Sequence, residues 1–295
     1  MNKIVESIKH LTMNKYTIDQ FQRDYPNNDK CLDKLFKLRF ENLVCPKCDN
    51  DNPFTRVKNR MSYQCPSCGF QVYPCKGTIF EKSTTPLTYW FMAIYLQTTT
   101  RNGVAARELV RQMDICYKTA LRMAHQIKIL MAKNNIKKVS GEVEIDEGYI
   151  NVLNREKNDS MEESDRKRGI MGFISRDGNV KMQVMHGGKS FKDRVRENVT
   201  KDSTVITDGH LGYVGLNIEY YKHEIVNHSS GEYVRGKWHI QKVENFWSIF
   251  KRTIRGTHLS VSERHLQKYV DEVAFRYMHR DNQAMMFENV LKNIV

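Results

Sequence analysis

No stretch of this 295-residue chain reaches the roughly 18 consecutive apolar residues that cross a bilayer, which excludes a helical membrane protein. The opening residues, MNKIVESIKHLTMNKY, alternate charged and apolar side chains and lack the apolar core of a secretory signal. The expected setting is therefore the cytoplasm, where thiols stay reduced and seven cysteines do not make a disulfide framework. Acid is also in short supply: 34 Asp and Glu stand against 47 Lys and Arg, a net charge of +13. A balance this basic points to a polyanionic partner, nucleic acid first, with solubility as the plainer reason. The length suits two or three small units better than one core.

Four of the cysteines form a pattern, VCPKCDNDNPFTRVKNRMSYQCPSCGF. Cys45 and Cys48 make one CPxC knuckle and Cys65 and Cys68 the other, with 16 residues between the pairs. Two knuckles complete a tetrahedral thiolate shell for one zinc ion. No open position is left for water, so the metal is expected to be structural. Gly69 suits the tight turn after the last thiol, and Tyr63 and Phe70 are expected to cover the site. Cys31, Cys75 and Cys116 lack such partners and read as small apolar fillers.

Residues 86–133 read as helices. PLTYWFMAIYLQTTT is an apolar helix opened by Pro86, and two further helices meet at a break near Asp114-Ile115. Nine Lys and Arg stand against Glu108 and Asp114 over residues 101–138, which fits a helix-turn-helix, with a structural helical hairpin as the plain alternative. The second helix would offer Lys118, Arg122 and Lys128 to a groove.

From Ser140 the period changes to that of strands. In SGEVEIDEGYI, Val143 and Ile145 face one way and Glu142, Glu144 and Asp146 the other, which turns Glu147 away from Asp146. Residues 154–168 are almost wholly charged and read as a mobile loop. GIMGFIS and VKMQVMH form a hairpin across Asp177-Gly178, SFKDRVRENV is a short helix, and STVITDGH is a buried strand ending at Asp208. IEYYKHEIV is another strand, followed by the basic helix HIQKVENFWSIFKRTIRG.

That order predicts a mixed sheet flanked by helices, as in ribonuclease H-like folds. Asp146, Asp208 and Glu244 would then converge from two strands and a helix, with 61 and 35 residues between them. Three carboxylates make an oxygen-ligand site that suits magnesium, which keeps waters for substrate phosphates. Asp208 before Gly also fits turn chemistry. Glu147 is either a ligand or a solvated neighbour, and Glu144 shares the strand face of Asp146. Lys251 lies two turns beyond Glu244 on the same helix face, among Arg252 and Arg255.

With these motifs together, the chain resembles DDE-type insertion-sequence transposases, specifically the zinc-ribbon family called ISXO-two-like, related to the Merlin transposons. The likeness spans two CPxC knuckles, the helical segment, VEIDEGYI, VITDGHLGY and HIQKVENFWSIFKRTIRG. It maps the family's acids to Asp146, Asp208 and Glu244 and its helix lysine to Lys251; where the family often has Asn, three residues before the Glu, this chain has Gln241. The resemblance implies a multidomain α+β chain. Residues 1–40 would be an N-terminal helical segment, 41–82 a zinc ribbon, 83–138 a helix-turn-helix region, and 139–295 a ribonuclease H-like α/β catalytic domain. It implies two magnesium (or manganese) ions beside the one structural zinc. It further implies binding of double-stranded DNA, both terminal inverted repeats and target, by Lys118, Arg122, Lys128, Lys251, Arg252 and Arg255. Strand cleavage and strand transfer by a homodimer or larger assembly, nucleoid-associated in a bacterial cytoplasm, would follow. Two alternatives differ in outcome: a ribonuclease H-like nuclease that cuts without joining, and a non-catalytic zinc-ribbon DNA-binding regulator.

Overall fold

The computed structural model describes residues 16–133, 138–152, 167–218, 221–227 and 230–294. The charged stretch expected as a loop over 154–168 lies outside these residues up to 166. Its last two, Lys167 and Arg168, begin a strand instead. The chain divides into two compact units: one runs up to Leu130 and resumes at Asn282, and the other is Met131–Asp281.

In the first unit, α1 (Ile18–Asp24) opens on a capping box, in which Thr17 and Gln20 satisfy each other's backbone amides. Helix α2 (Asn28–Arg39) is capped by Asn27. Strands β1 (Thr55–Arg56), β2 (Tyr63–Gln64) and β3 (Gln71–Val72) form a small antiparallel sheet. Helix α3 (Leu87–Thr99) is apolar nearly all round and is correspondingly buried, with Trp90, Phe91 and Ile94 inaccessible. Helix α4 (Ala106–Met113) ends at Asp114 in the left-handed conformation (φ 50°), and α5 (Tyr117–Ala132) follows after two residues. The C-terminal helix, Ala284–Lys292, returns to this unit: Phe287 meets the rings of Phe21, Tyr25, Phe91 and Tyr95.

The second unit carries a five-stranded sheet of β4 (Glu142–Asn151), β5 (Lys167–Ser175), β6 (Val180–Val184), β7 (Thr204–Thr207) and β8 (Lys222–Ile225), in the order β6-β5-β4-β7-β8. The β4–β5 and β5–β6 pairs are antiparallel, whereas β4–β7 and β7–β8 are parallel. This is the mixed ribonuclease H-like sheet that the element order predicts. Gly178 (φ 90°) makes the β5–β6 turn. Strands β7 and β8 are shorter than their sequence pattern suggests, so Asp208 stands one residue beyond β7.

Helix α6 (Phe191–Asn198), opened by a Ser190–Asp193 capping box, and the 3-10 turns Leu211–Tyr213 and Leu216–Ile218 lie on one face of the sheet. There Val143, Ile145, Met171, Phe173, Val195, Val205 and Tyr213 form one core. Helices α7 (Gln241–Thr253) and α8 (Leu266–Met278) cover the other face, where Ile170, Ile174, Met182, Val243, Phe246, Trp247, Phe250, Val270 and Val273 form a second. A π-helical turn, Ile254–His258, extends α7. Alternation along β4 separates the two sides: Val143 and Ile145 enter the first core, and Glu144, Asp146 and Gly148 meet α7.

Candidate metal centres and active site

The two cysteine knuckles are built alike. Asp49 N donates to Cys45 O and Gly69 N to Cys65 O, and each knuckle closes on a left-handed residue, Asp49 (φ 53°) and Gly69 (φ 72°). Glycine meets that demand without strain, and Asp is among the residues that tolerate it. The four sulfurs lie within 4.8 Å of one another, with Cys45 and Cys68 at 3.5 Å and Cys48 and Cys65 at 3.7 Å. Thiolates about 2.3 Å from one ion fit such spacings, so the donor set and reach suit tetrahedral zinc. Tyr63 stacks on Phe36 of α2 (4.0 Å between centroids) and hydrogen-bonds Asp33, so its ring joins the ribbon to the helix before it. Cys31 and Cys75 are buried as expected of fillers; Cys116 is not. It is exposed ahead of α5, with its sulfur 3.2 Å from the Thr119 hydroxyl, because that position precedes the buried face of the helix.

On the α7 side of β4, three successive even-numbered residues are shaped for that helix. Glu144 is fully buried and its Oε2 accepts from the amides of Lys242 (2.7 Å) and Val243 (3.2 Å). Ile240, at the N-cap position of α7, has no side chain to offer, so the strand supplies the cap. Arg176 pairs with the other oxygen at 3.1 Å, and His239 stands 3.6 Å from it. Burial raises the Glu144 pKa, and Arg176 and the two amides oppose it. Asp146, two residues on, accepts from the Trp247 indole at 2.9 Å. Gly148, two further, leaves room for that indole: a Cβ there would come within 2.8 Å of the ring.

The other face carries Glu147, whose Oε2 accepts from the Tyr213 hydroxyl at 2.8 Å. Glu144 faces Ile206 in the parallel β4–β7 register, so Asp208 falls beside Asp146 at the end of β7. The carboxylates feel one another. Burial, then the charges of Glu147 and Asp208, push Asp146 up to about 7 against the Trp247 hydrogen bond. Burial and Asp208 likewise raise Glu147, with Tyr213 opposing. The Asp208 carboxylate also accepts from His210 N at 3.0 Å, the turn chemistry that Asp before Gly suggests.

The structure thus brings Asp146 and Asp208 together and adds Glu147, which strand alternation alone would leave as a neighbour on the far side. Its partner, Tyr213, is 66 residues away. The Glu144 clamp was equally invisible in sequence, although a helix beginning at Ile-Gln-Lys without Ser, Thr, Asp or Asn signals a missing cap. Glu244 is exposed on the first turn of α7, and Lys251, Arg252 and Arg255 are exposed further along it and in the π turn. Among the described residues, no three carboxylates close to within the 4.8 Å that the cysteines achieve. Asp146 and Asp208 still offer a cation hard oxygen donors whose repulsion it relieves.

On α5, Lys118 and Arg122 are exposed, but Lys128 is 1% exposed and faces no groove. It shares a helix face with buried Ala124 and Met131, and Leu130 is buried as well, so the apolar stripe is wider than the sequence period suggests. A hollow of about 490 Å³ beside the start of α5 is lined by Arg107, Val110, Arg111 and Tyr117, with the Arg107 guanidinium 5.6 Å from the Tyr117 ring centre. No described helix is long and apolar enough to cross a membrane.

Comparison with known proteins finds transposase domains in both parts of the chain. Residues 26–71 match the transposase zinc-ribbon domain and residues 138–278 the ISXO2-like transposase domain. A protein described as uncharacterized in transposable element ISH50 of Halobacterium salinarum is 28% identical over 269 residues, covering 84% of this chain and 90% of its own. A transposase-like protein of Haemophilus influenzae is 27% identical over 101 residues, 34% of this chain and 79% of its own length. With a transposase zinc-ribbon domain at residues 26–71 ahead of an ISXO2-like transposase domain at residues 138–278, the chain has the make-up of an insertion-sequence transposase.

Proposed function

We propose that the chain binds the terminal inverted repeats of its insertion sequence and cuts and joins DNA strands by divalent-metal-dependent phosphoryl transfer. One observation carries the reading: Asp146, midway along β4, and Asp208, just past the end of the parallel strand β7, are brought together, with Asp146 raised to about 7. Like charges gathered at such a cost suit a site that a cation neutralises. Magnesium needs few carboxylates because it keeps its own waters, so the absence of a closed three-carboxylate shell is compatible with it. When bound, two magnesium (or manganese) ions would activate a water or a 3′-hydroxyl and stabilise the leaving oxygen.

Asp146 and Asp208 would hold the metal, and Glu244 would supply a third carboxylate from α7. The Glu144 clamp and the Asp146–Trp247 bond fix that helix against β4, so they also set where Glu244 can reach. Lys251 is a point charge for a phosphate near the scissile bond, and Arg252 and Arg255 extend the same basic surface. Helices α4 and α5 would act as a helix-turn-helix reading DNA through Lys118 and Arg122, without Lys128, next to the zinc ribbon. Holding two DNA ends at once calls for a dimer or larger assembly.

The test is magnesium-dependent cleavage of a labelled terminal-repeat duplex, scored beside a gel-shift. Asp146→Ala, Asp208→Ala and Glu244→Ala should each lose cleavage by more than a hundred-fold and retain binding, since removing a carboxylate also lowers its repulsion of phosphate. Full cleavage by Asp208→Ala would mean the wrong acids. Cleavage without joining to a second duplex would leave a nuclease, and binding without metal-dependent cleavage a regulator.

A further inference from the structure

Exposed apolar side chains border the carboxylate cluster. Leu211 is 84% exposed, Val214 63% and Tyr149 54%. A scattered exposed leucine needs no explanation. Leu211 differs because its turn is fixed on every other side. Its neighbour His210 accepts from Gly212 N through Nδ1 at 3.0 Å and stacks on Phe191, 5.0 Å between centroids. Gly212 lies so close to Phe191 that a Cβ would approach within 2.6 Å. Tyr213 is wholly buried and bound to Glu147. The turn is therefore tied to Asp208 at one end and Glu147 at the other, and Leu211 stands out at its crest. Tyr149 lies two residues beyond Glu147 on the same strand face; burial and then the charges of Glu147 and Asp146 raise its phenol.

We propose that Leu211 and Tyr149 form a lip that separates DNA bases beside the scissile phosphate, Leu211 as the wedge and Tyr149 as a stacking surface for the freed base. This rests on the proposed function. An exposed leucine and a phenol ring offer little to a phosphate, and carboxylates so near repel one. The face of an unstacked base matches both, and a paired, stacked base does not present it. A rigid turn suits a wedge, because a mobile leucine would yield before the bases did.

The test places 2-aminopurine next to the cleaved phosphate of a terminal-repeat duplex and adds the full-length protein without divalent metal. The wild type should raise its fluorescence several-fold on binding. Leu211→Ala should abolish most of that rise at unchanged gel-shift affinity, and Leu211→Met should restore it. With magnesium, Leu211→Ala and Tyr149→Ala should cut the paired duplex on the order of ten-fold more slowly, the scale of one base–side-chain contact. Both should regain wild-type rates on a duplex mismatched at that position. Equal slowing on paired and mismatched DNA, or no slowing, would overturn the lip. If the wild type cuts neither duplex, the proposed function fails on its own. The fluorescence then decides alone: a rise lost in Leu211→Ala supports the lip, and no rise with wild type overturns it.

Discussion

Without metal, burial and the charges of Glu147 and Asp208 hold the Asp146 carboxyl at about 7, well above the ordinary value near 4. A raised acid favours the folded state while it keeps its proton, and that contribution is lost as pH rises through its folded value. The metal-free protein should therefore lose stability between about pH 4 and pH 7 through this group. Asp146→Asn removes the charge and keeps an oxygen for the Trp247 indole. It should melt higher than wild type at pH 8 without metal, and the gap should close towards pH 5. Magnesium should reverse the ranking by stabilising the wild type, by about 2.7 kcal/mol at a hundred times its dissociation constant, and leaving the variant unmoved. Thermal melts at two pH values with and without magnesium decide it; a variant less stable at pH 8 without metal would contradict this account. Asp146 on its strand and Asp208 just past the end of another were legible because alternation and element order are local signals. The roles of Glu144 and Glu147 were not, since each is defined by a partner 66 to 99 residues away.

Helix α7 begins without a cap of its own and borrows one from β4. Removing Glu144 leaves two helix amides and Arg176 without their buried acceptor, a loss on the order of 3 kcal/mol. Glu144→Ala should therefore unfold at distinctly lower urea, and Glu144→Gln, which keeps one oxygen for the amides, should lose less. Equal stability of Glu144→Ala and wild type would show that α7 is held by its apolar face alone. Most elements were readable from pattern: the α3 apolar run and the Asp-Gly hairpin both carry their own chemistry. The ends of β7 and β8 were not, because tertiary pairing rather than propensity decides where a short strand stops. The inward turn of Lys128 was missed for a related reason. A long aliphatic stem can be buried on an apolar face, and a charge count cannot register that.

At the scale of the whole molecule, two units with separate cores should unfold in separate steps. The zinc ribbon has only two-residue strands, so metal must supply most of its stability. Calorimetry should resolve two transitions, with a zinc chelator lowering the one that belongs to the N-terminal unit and sparing the sheet of Met131–Asp281. A single transition that chelation shifts as a whole would show that the cores are not independent. The C-terminal helix bears on this arrangement in time. Phe287 fills the aromatic core around Phe21 and Phe91, yet the ribosome reaches it only after the whole sheet unit has been made. At about 5–20 residues per second, the first unit waits on the order of tens of seconds for its C-terminal core side chains while the second can already fold. The usual order of synthesis is thereby inverted, and a nascent chain released before residue 287 would carry the carboxylates and the cysteines without the finished aromatic core of the unit that holds the ribbon.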